Sequence, residues 1–328
     1  MLYKYRYVTT EYLYPKEIQD IGKNAIVLDR ICSNYFPNTC YSVVDRYFEE
    51  EDLVGRSIVM NDDYRFMETF VGLKKPNKDS FFWTSDTRLW EIDHDKIDSE
   101  YVAIMASMPF FVHSKNLNYD YNGNFLEIGL GGGSLSMFLH SHFKNLNITV
   151  AEIDGSMIEI AKRYFNVSEN NKNYRILRED GEKTIEDAVK NGMVYDSITI
   201  DACGNDTNVG CPTYNFIKNS TLNNIKKILK DRGIVNINLL VINDKDHLTY
   251  FKKVMNQLLT HFPTCIFTFS EIELNYIVGC VKYSIENIYE SEILFEENLK
   301  NIVDKWNLSK NLYKAKIKIM NKNGLDDV

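Results

Sequence analysis

Between residues 24 and 93 the chain runs in short apolar bursts, NAIVLDRIC, YSVVDRYF, RSIVMN, RFMETFVGL and FFWTSD, rich in Val, Ile, Tyr and Phe. Polar turns separate them at hairpin spacing, which predicts a small antiparallel sheet. The period then changes. In HDKIDSEYVAIMASMPFF, Tyr101, Ile104, Met105 and Met108 fall on one face of a helix, with Asp98 or Ser99 placed to cap it. A regular alternation follows: the strands NFLEIGL, ITVAEI, YRILRE, YDSITID and GIVNINLLV are separated by helical patterns at 134–144, 156–165, 182–191 and 214–230. A helix at 245–261 then precedes the strands CIFTFSEI and LNYIVGCVKY. Successive β-α units of this length imply an α/β fold with a parallel sheet wrapped by helices. The last two strands have no helix between them, so at least one runs antiparallel. Residues 287 to about 307 predict a terminal helix, followed by a Lys-bearing tail. The expected division is 1–94, a β-rich part; 95–285, a Rossmann-like domain; and 286–328, the helix and tail.

A length of 328 residues fits about two folding units. Thirty-eight basic against 46 acidic side chains give a net charge of −8, so no global positive field draws the chain to nucleic acid or an anionic membrane. The start, MLYKYRYVTTEYLY, has no apolar signal core, and no apolar run approaches the roughly 20 residues that span a bilayer. The expectation is a soluble, cytoplasmic protein with neither a membrane nor a nucleic-acid partner. Six cysteines without a C-x-x-C pair or a His at zinc-finger spacing are expected to be free thiols.

The first strand of the alternation ends in E-I-G-L-G-G-G-S, so Glu127, Gly129, Gly131, Gly132 and Gly133 run straight into a helix. Glycines there let the backbone approach a ligand, and the helix N-terminus offers free N–H groups. A nicotinamide-binding domain has a similar turn, as does a tight corner that binds nothing. The second strand ends in A-E-I-D, placing Glu152 and Ile153 about twenty residues after the glycines, where a carboxylate can accept both ribose hydroxyls of an adenosine cofactor. Asp154 is placed to cap the next helix. The third ends in E-D-G: Asp180, beside Gly181, is suited either to an adenine amino group or to capping the helix from Glu182. The fourth ends at Asp201, where ligands of open α/β sheets sit. Four acidic strand ends suit a cationic sulfonium better than the pyrophosphate of NAD.

With I-G-L-G-G-G-S-L (128–135), F-L-H-S-H-F (138–143), A-E-I-D-G-S-M-I-E-I-A (151–161), E-D-G (179–181) and G-C-P (210–212), the chain resembles the spermidine-synthase-like class I methyltransferases over about residues 95–283. Within them it is most similar to the branch of the methyltransferase-like protein 13 C-terminal domain. The resemblance implies a spermidine synthase fold, a Rossmann-like seven-stranded methyltransferase sheet preceded by a small N-terminal antiparallel β domain. It implies S-adenosyl-L-methionine as cofactor, with the glycine loop on its methionine part, Glu152 on the ribose and Asp180 on the adenine. It further implies a protein substrate, in one described member translation elongation factor 1-alpha, and a homodimer.

Two departures separate the chain from polyamine-forming relatives. Gly132 stands where they carry an Asp in the glycine loop, and Asp201-Ala202-Cys203-Gly204-Asn205-Asp206 replaces D-S-S-D-P without its second Asp. Both losses remove counter-charges for ammonium groups and argue against aminopropyl transfer, which stays as an alternative beside a non-catalytic binding role. Asp201, with Asp206 as its partner, is expected to orient an incoming amine and assist proton loss; for Asp206 a structural loop role is equally open. Tyr64, Phe66, Phe81, Phe82 and Trp83 read as core, with cover of the active-site mouth as the alternative, and Lys310, Lys314, Lys316, Lys318 and Lys322 as a solvated helix or tail, with substrate docking as the alternative.

Overall fold

The computed structural model describes residues 24–63, 67–113, 120–204, 209–241 and 247–322. Its strands are β1 (Ala25–Cys32), β2 (Cys40–Phe48), β3 (Leu53–Met60), β4 (Thr69–Lys74), β5 (Glu91–Ile92), β6 (Asn124–Ile128), β7 (Asn147–Glu152), β8 (Tyr174–Arg178), β9 (Tyr195–Ile200), β10 (Val209–Cys211), β11 (Leu229–Val241), β12 (Thr264–Phe269), β13 (Asn275–Val281) and β14 (Lys318–Asn321). Its helices are α1 (Glu100–Phe111), α2 (Ser134–His142), α3 (Gly155–Tyr164), α4 (Gly181–Lys190), α5 (Asn219–Ile228), α6 (His247–His261) and α7 (Ile288–Lys305). The described residues form two compact units: 24–99 with Leu130–Phe138 and Asp154–Ser168, and Glu100–Gly129 with Leu139–Ile153 and 169–322.

In the smaller unit β1 to β5 pair antiparallel in chain order. Four of the five expected segments are strands. The fifth, FFWTSD, is a turn, closed by the Thr84 and Ser85 amides donating to the Phe81 carbonyl. Its aromatic content reflects an anchor instead of a strand: Phe82 is buried and stacks on Tyr47. Asp45 and Arg56 face each other across β2 and β3. Arg56 donates to both Asp45 oxygens, at 2.7 and 2.9 Å, and to the carbonyls of Tyr164 (2.7 Å) and Thr87 (3.0 Å). This buried charge pair is thereby hydrogen-bonded through four of the five guanidinium N–H groups.

The larger unit holds a sheet in the order β14-β12-β13-β11-β9-β6-β7-β8, with β10 on β11. From β8 through β11 neighbours run parallel; β13, β12 and β14 are antiparallel. All seven expected strands are present in the doubly wound arrangement closed by a hairpin. Side chains of α4, α5 and α6, among them Ile185, Leu222, Ile225, Met255 and Leu258, share one core with Ile198, Val235, Ile237 and Val278 of the sheet. Against β9, β11 and β13 packs α1, buried from Val102 through Phe111 instead of on one face alone. A Cβ at Gly279 would lie 2.3 Å from Met108 Sδ, so the glycine makes room for this helix. At its end the Phe111 carbonyl accepts from Asn298 Nδ2 of α7 at 2.9 Å. No described helix is long and apolar enough to cross a membrane.

Two expectations are corrected. Part of the supposed tail is β14, which pairs with β12 and turns Ile317, Ile319 and Met320 inward; Lys316 and Lys318 meet Glu296 and Glu292 of α7 at 3.5 and 3.0 Å. The cysteines are not free thiols: all six are paired, Cys32 with Cys40, Cys203 with Cys211 and Cys265 with Cys280. Register is the physical reason, because Cys32 lies opposite Cys40 across β1 and β2, and Cys265 opposite Cys280 across β12 and β13.

Candidate active site

Parallel pairing aligns the strand ends. Ile128 of β6 lies opposite Ala151 of β7 and Ile200 of β9, and Glu152 opposite Arg178 of β8. Gly129, Glu152, Asp180 and Asp201 therefore leave the sheet at one edge, the carboxyl ends of the parallel strands. Two backbone bonds tie this edge: Gly129 N–H donates to the Ala151 carbonyl and Asp201 N–H to the Ile128 carbonyl, both at 2.9 Å. Gly129 has φ of 95°, and a Cβ there would sit 2.4 Å from the Asp201 carbonyl oxygen. Only glycine permits that approach.

Glu127 and Glu152 are both buried, Ile153 is half-buried, and the Glu152 carbonyl accepts from Glu179 N–H at 3.0 Å. Asp180 is exposed and caps α4, its Oδ1 accepting from Glu182 N–H at 2.8 Å. Gly181 opens that helix against Ile128 and Phe216. Within the smaller unit Gly131 and Gly133 also have positive φ, 51° and 77°. Asp154 caps α3 through Ser156 N–H at 2.9 Å, as expected, and also accepts from the Tyr41 hydroxyl at 3.1 Å. Asp206, Tyr64 and Phe66 lie outside the described residues.

Asp201 is the most elaborately surrounded of these acids. Its Oδ1 accepts from Asn238 Nδ2 of β11 at 2.7 Å, and its Oδ2 lies 3.4 Å from the Tyr101 hydroxyl of α1. Behind it, Asn275 Nδ2 of β13 donates to Asn238 Oδ1 at 2.7 Å. The first turn of α1 is itself fixed, since Glu273 accepts from Tyr101 N–H at 2.7 Å and Glu100 from the Ser270 hydroxyl at 2.6 Å. Past Asp201 the Cys203–Cys211 disulfide joins the strand exit to β10, beside a bond from Gly204 N–H to the Gly210 carbonyl at 2.8 Å. Burial pushes the Asp201 carboxyl above the usual carboxylate range, and the hydrogen bonds from Asn238 and Tyr101 draw it part of the way back. Among the described residues no cation pairs with it.

Tyr101, Asn238, Asn275 and the disulfide are thus neighbours that sequence reading missed. One signal was present: Asn236 and Asn238 alternate inside an otherwise apolar strand, which puts two amides on one buried face.

Residues 100–287, over half of the chain, match the family model of the spermine/spermidine synthase domain. An "eEF1A lysine and N-terminal methyltransferase" from Xenopus laevis is 31% identical over 235 residues, covering 71% of this chain and 32% of that protein. The protein of the same name from Homo sapiens is 33% identical over 174 residues, covering 52% and 24%. The chain therefore matches at most about a third of the length of these curated relatives. Among solved structures, human methyltransferase-like protein 13 in complex with SAH aligns with a TM-score of 0.53 at 28% identity, over 61% of this chain and 91% of that one. Thermotoga maritima spermidine synthase aligns with a TM-score of 0.53 at 16% identity, over 86% and 88%, a likeness of fold alone. On the extent of the domain match and the strand arrangement together, the chain belongs to the spermine/spermidine synthase domain family.

Proposed function

We propose that the chain is an S-adenosylmethionine-dependent methyltransferase whose acceptor is a protein amine. The observation that carries this reading is the alignment of Gly129, Glu152, Asp180 and Asp201 along one strand-end edge, in a sequence that has no acid at Gly132. Similarity to a methyltransferase solved with SAH supports it, as do the relatives named for methylating eEF1A.

The residues present fit the cofactor. Asp180 spends Oδ1 on its helix and keeps Oδ2 without a hydrogen bond among the described residues, exposed and able to accept from an adenine amino group. Glu152 would take the ribose hydroxyls, Gly129 with Glu127 would border the methionine part, and Ile153 and Gly181 would flank the adenine. The cofactor, when bound, supplies a methyl group made electrophilic by a sulfonium.

The protein's share is alignment and proton management. Asp201 would accept a hydrogen bond from the incoming amine, hold its lone pair toward the methyl group and take the proton released as the C–N bond forms and the methyl–sulfur bond breaks to leave a neutral thioether. A carboxylate pushed upward by burial is better matched to that proton than an ordinary one. An N-terminal amine, with a pKa near 8, offers a larger neutral fraction than a lysine near 10.4. Elongation factor 1-alpha is the proposed acceptor, and the cytoplasm the proposed location. Cytoplasmic reductants keep thiols reduced, so there the three cysteine pairs would stand as thiols in contact.

Incubation of the purified chain with methyl-labelled S-adenosylmethionine and an elongation-factor N-terminal peptide should label the amine. No labelling of peptide or of cell protein, with spermidine formed from putrescine and decarboxylated S-adenosylmethionine, would overturn the reading in favour of aminopropyl transfer.

A further inference from the structure

A carboxylate removed from water ordinarily keeps its charge because a cation sits beside it. Asp201 is half-buried and has no such partner among the described residues, and what faces it is neutral. An amide can turn either its NH2 or its oxygen toward a neighbour, and the oxygen of Asn238 turned toward Asp201 would repel an ionised carboxylate. Asn275 decides the orientation. Its NH2 occupies Asn238 Oδ1 at 2.7 Å, which leaves the Asn238 NH2 for Asp201 Oδ1, also at 2.7 Å. Both amides are almost fully buried, at 2% and 4% exposure, so no water competes for these positions. Register keeps them together: Asn238 lies opposite Ile277 and Asn275 opposite Leu240, which makes the two amides diagonal neighbours on one face of β11 and β13. The Asn275 carbonyl in turn accepts from Ser270 N–H at 2.8 Å, pinning the hairpin that carries it.

We propose that Asn238 and Asn275 are positioning residues for Asp201: the relay Asn275 to Asn238 to Asp201 presents a fixed N–H to the carboxylate and holds it ionised in one rotamer. The catalytic consequence rests on the methyl-transfer reading, whereas the charge state of Asp201 does not. Of the groups that act on Asp201, the Tyr101 hydroxyl from α1 is titratable, and β11 contributes the Asn238 amide. In the loop beyond it, Cys203 Sγ lies 3.9 Å from Asp201 Oδ1 and is a second titratable neighbour wherever the Cys203–Cys211 pair stands reduced.

The test is a carbon-13 titration of the aspartate carboxyls in the full chain, with the Asp201 signal assigned by its loss in Asp201→Asn. Asn238→Leu, with the same branched four-atom side-chain skeleton and no donor, should move the Asp201 midpoint upward by about one pH unit or more. Asn275→Leu, which frees the Asn238 amide to turn, should move it in the same direction by less. The acidic limb of kcat/KM should shift with the midpoint, while kcat on the alkaline plateau and affinity for SAH stay near wild type. Should Asn238→Leu fail to fold, Asn275→Leu carries the test. An unmoved midpoint in the folded variants, or loss of SAH affinity and plateau rate with an unmoved acidic limb, would overturn the proposal. A shifted midpoint in a chain that transfers no methyl group at any pH would uphold the relay and sink the methyltransferase reading instead.

Discussion

Asp45 in the smaller unit is a buried carboxylate and Asp201 in the larger a half-buried one, and the protein treats them in opposite ways. Asp45 is clamped by Nε and Nη2 of Arg56, which also donates to two backbone carbonyls, so four of the five guanidinium N–H groups are engaged. Asp201 has one amide at 2.7 Å, a hydroxyl at 3.4 Å and no cation among the described residues. An acid paired with a guanidinium holds a fold together. One faced by neutral donors alone keeps lone pairs to receive a proton, at a cost in stability.

That contrast can be broken first at Arg56. Arg56→Met leaves Asp45 buried without its counter-charge and should cost about 3–5 kcal/mol, whereas replacing both partners with apolar residues of similar volume should recover most of it. Denaturant unfolding of the single and double variants measures both, and a single variant as stable as wild type would remove the structural half of the comparison.

At Asp201 the signs reverse. Asp201→Asn should lower methyl transfer about 10²–10³-fold, roughly 3–4 kcal/mol, while leaving SAH binding near wild type. Because burial raises this carboxyl above its unfolded value, the folded state holds the proton more tightly, and stability is lost as pH rises from the unfolded value near 4 through the folded one. Asp201→Asn escapes that loss, so at pH 7 its Tm should equal or exceed wild type by roughly 2–4 °C. A lower Tm with full activity would show Asp201 to be a structural acid like Asp45.

Glu152 sharpens the comparison with a smaller effect. Glu152→Ala should weaken SAH binding about ten- to a hundredfold, the worth of about 1.5 to 3 kcal/mol of hydrogen bonding to a charged group. Calorimetry giving wild-type affinity would remove Glu152 from the cofactor's surroundings.

What could be read along the chain was whatever depends on local period. The switch from two-residue to helical repeat located β6 to β9 and α2 to α4 to within about two residues, and with them Gly129, Glu152, Asp180 and Asp201 at strand exits. What could not be read depends on register. Nothing local says that Cys265 meets Cys280, or that Asn275 lies diagonal to Asn238; strand pairing decides both. FFWTSD misled because aromatics favour strands, while here Phe82 fills a site under Tyr47 from a turn. The tail misled through its lysines. Their alternation with Ile317 and Ile319 is itself a strand pattern, visible once charge is set aside.

The four residues of β14 have a consequence for solubility. They cover one long side of β12, satisfying backbone groups along Thr264 to Phe267 that would otherwise stand as an open edge. An uncovered edge of apolar, β-branched and aromatic residues is a template on which another chain can add a strand. A chain cut after Ala315 would keep every strand-exit acid discussed above, yet present that template to its neighbours. Lys318 and the side chains around it thus act as a guard against self-association, placed about as far along the sheet from Asp201 as the strand order allows.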